Sequence, residues 1–126
     1  METPYQHSAI SLMKQRTSCR TFRPENLQAI HKQVLEEFIG QNNRSFADQV
    51  IDLHIIEKEA AQKYEQKFSD YGLIRNHLNY MVGSINPELD YSYESYGYVL
   101  EKVVLKAADL GLGTCWVGVF NPLYLN

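Results

Sequence analysis

Residues 96–118, YGYVLEKVVLKAADLGLGTCWVG, constrain the fold more than any other stretch of the chain. Tyr96, Val99, Leu100, Val103, Val104, Ala107, Ala108 and Leu110 recur at helical spacing and leave only Lys102, Lys106 and Asp109 as a narrow polar stripe. A helix apolar over most of its circumference must be surrounded, so this one is expected at the centre of the molecule. Upstream, Asp90, Ser92 and Glu94 stand where they can satisfy or attract the free N–H groups of the first turn. Gly111 stands where a left-handed residue stops the helix. Gly113 then releases the chain into Thr114, Cys115, Trp116 and Val117, a β-prone run. At Gly118 the backbone can approach a flat ligand with no side chain between.

The remaining segments supply what would surround that helix. Ser8 is a candidate cap for a short first helix carrying Ile10, Leu12 and Met13 that ends as a basic loop begins at Arg16. Pro24 at a first helical position, followed by Leu27, Ile30, Val34, Leu35, Phe38 and Ile39, predicts a second amphipathic helix ending at Gly40. After an Asn-rich connection, residues 50–57 place Ile51, Leu53 and Ile55 on one face of a strand. Residues 58–68 read as a solvent-facing helix, residues 71–73 as a turn, and residues 78–85 as a second strand in which Gly83 marks a bulge or a close approach. The last strand is expected to end at Phe120. Together these give roughly four helices and three strands, an α+β fold with helices packed on a small mixed central sheet.

Composition bounds the function. A chain of 126 residues suits one domain over residues 1–126, and 44% hydrophobic with 21% charged residues is ordinary globular usage. A net charge of −3 without a Lys/Arg block argues against nucleic acid or an anionic membrane as partner. The apolar runs are too short to span a bilayer and the first residues lack a secretory pattern, so the expected location is cytoplasmic. Cys19 and Cys115 show no CxxC spacing and are expected as free thiols, and His7, His31, His54 and His77 show no metal-ligand spacing. No structural metal is expected.

Two motifs in this order, Arg16-Thr17-Ser18-Cys19-Arg20-Thr21-Phe22 and the GLGTCW turn at 111–116, carry a resemblance to a known family. The chain resembles flavin-dependent nitroreductase-like proteins, particularly the Thermotoga-type branch with the GLGTCW turn. The resemblance implies helices around a central sheet and a homodimer with FMN in its interface. It also implies that NAD(P)H reduces the flavin by hydride transfer and that a small-molecule electron acceptor, a nitroaromatic or quinone, then takes the electrons. Arg16, Thr17, Ser18 and Arg20 would hold the phosphate and ribityl chain, and Trp116, Val117 and Gly118 would run along the ring. No catalytic side chain is expected, because the flavin carries the chemistry.

Such proteins normally continue beyond this turn, so the chain reads as a C-terminally short version, and a non-catalytic flavin-binding or protein-interaction domain is the alternative. Without the resemblance, two loop arginines read as solvated or paired with surface carboxylates and a lone Trp as a core anchor. Tyr91, Tyr93, Tyr96 and Tyr98 read either as half-buried packing or as the lining of a pocket for a flat substrate.

Overall fold

The computed structural model describes residues 4–57, 74 and 78–117. Among these the chain runs α1 (Ala9–Gln15), α2 (Ala29–Asn42), β1 (Asp52–Glu57), β2 (Asn79–Ser84) and α3 (Ser92–Asp109), an α+β arrangement. Helix α3 is the central element that its periodicity predicts. Val99 and Val103 are wholly inaccessible, and they join Leu100 and Ala107 in one cluster with Leu35, Phe38 and Ile39 of α2 and with Ile51 and Leu53 of the β1 segment. Each Val, Leu, Ile or Phe of this set contributes about 1.5–3 kcal/mol by burial, which makes the cluster the main fixture of the fold.

Both ends of α3 refine the sequence reading. The helix begins at Ser92, four residues before the apolar pattern does, and Tyr91 precedes it in the left-handed region (φ 63°) without capping through its side chain. The Ser92 hydroxyl donates back to the carbonyls of Asn86 and Leu89, so it secures the preceding turn instead of capping the helix. At the other end Gly111 adopts φ 82°, its N–H donates to Ala108 O, and Leu112 N–H donates to Ala107 O, so the expected glycine stop forms. Asp109 departs from the predicted polar stripe. It is buried, and its carboxylate accepts the backbone N–H groups of Gln6 and His7, tying residues 4–8 to the end of α3.

Helix α1 forms as expected, with Ser8 Oγ accepting the Ser11 N–H and the helix closing at Arg16. Helix α2 starts at Ala29 and not at Pro24, because the Glu25 N–H closes a tight turn onto Arg23 O, so the proline bends the chain. It also runs past Gly40 to Asn42, whose side-chain amide donates to Phe38 O.

Strands β1 and β2 pair antiparallel from Asp52↔Ser84 to Glu57↔Asn79 without interruption. Gly83 is therefore a close approach and not a bulge. A Cβ there would lie 2.5 Å from Leu53 Cδ2 and 2.7 Å from Tyr96 Cε2, so the bare glycine lets the sheet settle on α3. The strand expected over 114–117 reduces to one parallel bridge, Ser18↔Thr114. The surface helix expected at 58–68, the turn at 71–73 and the strand end at Phe120 lie outside the described residues. No helix among the described residues is long and apolar enough to cross a membrane.

Candidate functional site

The site grows from the end of α1. Capped at Ser8 and stopped at Arg16, this helix delivers residues 16–23, RTSCRTFR, as a loop with three arginines and no carboxylate of its own. The turn that follows α3 meets that loop. Cys19 N–H donates to Thr114 O at 2.8 Å, and Arg16 donates from Nε to Thr114 Oγ1 at 3.1 Å and from Nη2 to Thr114 O at 3.4 Å. Gly113 completes the seam, since a Cβ on it would stand 2.9 Å from both Cβ and Sγ of Cys19. The two motifs, nearly a hundred residues apart in sequence, thus form one continuous piece of surface.

Within that piece the predicted residues fall into two groups. Arg16 is half-buried and oriented by Thr114, whereas Thr17, Ser18 and Arg20 are exposed. Neither Arg16 nor Arg20 forms an ion pair among the described residues, so the loop presents uncompensated positive charge beside two hydroxyls. Two residues beyond Thr114, Trp116 is 43% exposed and not a core anchor; its indole N–H donates to Glu101 Oε2 at 3.0 Å. Val117 is half-buried, and Gly118 lies outside the described residues.

Thr114, Glu101 and Arg23 were missed by sequence reasoning. Arg23 continues the basic spacing of Arg16 and Arg20 and was legible there, whereas the partnerships of Thr114 and Glu101 depend on how α3 returns the chain to α1. Glu101 also faces the N-terminal segment. Burial, reinforced by the charges of Glu101, Tyr98 and Asp109, pushes the Tyr5 hydroxyl to about 12. Cys19 and Cys115 are free, half-buried thiols that donate to the carbonyls of Thr21 and Trp116 respectively.

Uncompensated guanidinium groups with neighbouring hydroxyls are the donor set that a phosphate ester requires, because the arginine fork matches phosphate oxygens and the hydroxyls add neutral donors. The phosphate end of a flavin mononucleotide fits these residues. Two surface grooves, of about 320 and 490 Å3, are lined by other residues and do not include the loop.

Residues 9–124 match the protein family described as Putative TM nitroreductase. No curated protein matches the chain. The chain belongs to this nitroreductase family, which supports an oxidoreductase role at the family level.

Proposed function

We propose that the chain is an FMN-dependent NAD(P)H oxidoreductase that passes electrons to a nitroaromatic or quinone-type acceptor. The observation that carries this reading is the seam between the arginine loop and the GLGTCW turn, centred on Cys19 N–H to Thr114 O at 2.8 Å. This contact supports the reading because the cations and hydroxyls that would take a phosphate adjoin the Thr114–Val117 segment that would follow a flat ring. When bound, FMN would supply reversible two-electron chemistry that no side chain provides. The chain's own residues bind and orient it. Arg16 and Arg20 would neutralise the phosphate while Thr17 and Ser18 donate to it. Thr114 already restrains Arg16, so less side-chain freedom is lost when the anion arrives. Trp116, held by Glu101, would offer an apolar face, and Val117 with Gly118 would follow the ring edge.

A homodimer belongs to the same proposal. Ile10 and Met13 of α1 and Ile30 of α2 are each more than half exposed, and a second copy would cover apolar surface that is costly in water.

A second reading, a non-catalytic flavin-binding or interaction domain, draws on the bonds from Arg16 to Thr114, which a purely structural arginine would also make. Mixing the protein with excess FMN, removing free cofactor by gel filtration and recording the visible spectrum separates the two. Retained yellow flavin that bleaches with NADH or NADPH is expected. The Arg16→Ala/Arg20→Ala double variant should emerge colourless; retention of flavin by that variant would end the phosphate assignment. Retained flavin that NADH and NADPH fail to bleach, or a colourless wild-type protein, would favour the second reading.

A further inference from the structure

A second surface, sharing no residue with the arginine loop, carries its own chemistry. Residues 46–52 leading into β1 and residues 86–94 entering α3 lie side by side, joined where the Gln49 side-chain amide donates to the Asp90 carbonyl. Three exposed rings meet there. Phe46 stands edge-on to Tyr91 (centroids 6.2 Å, 61°) and to Tyr98 (5.6 Å, 81°). Beside them runs a groove of about 490 Å3 whose lining includes Asp48, Val50, Asp52, Ile85 and Leu89.

The charge of this surface is predominantly negative, five carboxylates against Arg44 and Lys102 at its edges. Residues 46–52 and 86–94 contain Asp48, Asp52, Glu88, Asp90 and Glu94, all exposed, and no Lys or Arg. Asp48 has Arg44 at 2.9 Å and Asp52 has His54 at 3.1 Å, but Glu88, Asp90 and Glu94 have no ion-pair partner among the described residues. The rings already receive one cation, since Lys102 Nζ lies 5.2 Å from the Tyr98 ring centroid. The backbone is shaped for the display as well. Asp48 (φ 59°) and Tyr91 (φ 63°) are the positive-φ residues other than glycine among the described residues, and both belong to this surface. A tyrosine is disfavoured in that conformation, and here it brings its ring against Phe46 without capping α3.

We propose that this surface docks an extended basic segment, rich in arginine and lysine, of a partner protein. Carboxylates and ring faces both attract guanidinium and ammonium groups, and the aliphatic stems of those side chains suit the exposed Val50 and Leu89. Nucleic acid and anionic lipid are repelled by the same charge. A second copy would bring the same five carboxylates against themselves across a two-fold axis, which opposes self-association through this face.

Fluorescence anisotropy with a labelled peptide of alternating arginine and glycine tests this, with a glutamate–glycine peptide as control. Saturable binding of the arginine peptide alone is expected, weakening as added salt screens the charges. Phe46→Ser combined with Tyr91→Gly leaves the charge unchanged and should weaken binding about tenfold. Glycine suits the Tyr91 backbone, so a wild-type circular dichroism spectrum should accompany that loss. Asp90→Asn with Glu94→Gln should weaken binding and flatten its salt dependence. Absent saturable binding would overturn the proposal. So would full affinity in the aromatic variant, which would mean diffuse charge attraction only. A wild-type dimer by light scattering that these substitutions convert to monomer would overturn it too, because the face would then belong to a second copy.

Discussion

Replacing Asp109 by asparagine would test how the N-terminal segment is held. The carboxylate is inaccessible to solvent and accepts from Gln6 N–H (2.8 Å), His7 N–H (3.0 Å) and Lys106 Nζ (3.4 Å), with His7 Nδ1 at 2.6 Å. Burial is the largest single influence and pushes its pKa upward. The hydrogen bonds from Gln6, the His7 ring, the His7 backbone and Lys106 outweigh it and bring the value from 3.8 down to about 2. At about 1.4 kcal/mol per pKa unit, the ionised group contributes about 2 kcal/mol to folding. Because the folded value is the depressed one, this contribution is complete well above pH 4 and is lost as the pH falls from about 4 towards 2.

Asparagine keeps the shape, loses the charge and turns an NH2 group towards N–H donors. The expected destabilisation is about 2–4 kcal/mol, equivalent to a fall in Tm of about 10 °C. Thermal unfolding of both proteins by circular dichroism from neutral pH to pH 3 would check it, and the gap between them should narrow on the acid side. A variant that melts with the wild type at neutral pH, or a gap that does not change with pH, would refute the reasoning.

Two further substitutions probe the packing around α3. Gly83→Ala should cost about 1–3 kcal/mol in urea unfolding, because its methyl would lie 2.5 Å from Leu53 Cδ2 and 3.0 Å from Asp52 O, the latter a backbone atom with little room to yield. Ser95→Ala should be neutral or stabilise by about 1 kcal/mol, since the Ser95 hydroxyl is wholly buried and has no hydrogen-bond partner among the described residues; a clear loss of stability would show that the hydroxyl is satisfied.

Local signals were legible in the sequence wherever the cause was local. Ser8 caps α1 because a serine oxygen reaches an N–H three residues on, and Gly111 stops α3 because a glycine readily takes positive φ; both rules act within one turn. Periodicity likewise found α3 and the buried face of β1. The failures share a different cause. Asp109 reads as one member of a polar stripe until residues 4–8 fold back onto it, and that contact spans 103 residues in the case of Gln6. Pro24 reads as a helix start, but the turn it forms with Arg23 and Glu25 delays the helix to Ala29. Ser92 reads as a cap, but it donates backward to Asn86 and Leu89 because Tyr91 has already set the entry to the helix. Propensity names what a residue can do, and tertiary contact decides which option is used.

The candidate site divides along the same line. The sequence shows that Arg16, Ser18 and Arg20 share one loop but does not orient them; Arg16 is oriented by Thr114, which reaches it only because α3 returns the chain to the end of α1. Gly113 makes that meeting possible, since any larger residue would press on Cys19 where its backbone bonds to Thr114. The glycines of the GLGTCW turn therefore act at a distance from any ring they would lie beside: Gly111 ends the central helix, and Gly113 lets the following segment lock onto the arginine loop. Helix stop, loop seam and arginine loop are linked in series, so a change at Gly113 should disturb the arginine loop first, through Cys19 and Thr114, while leaving the apolar cluster of α2, α3 and the β1 segment in place.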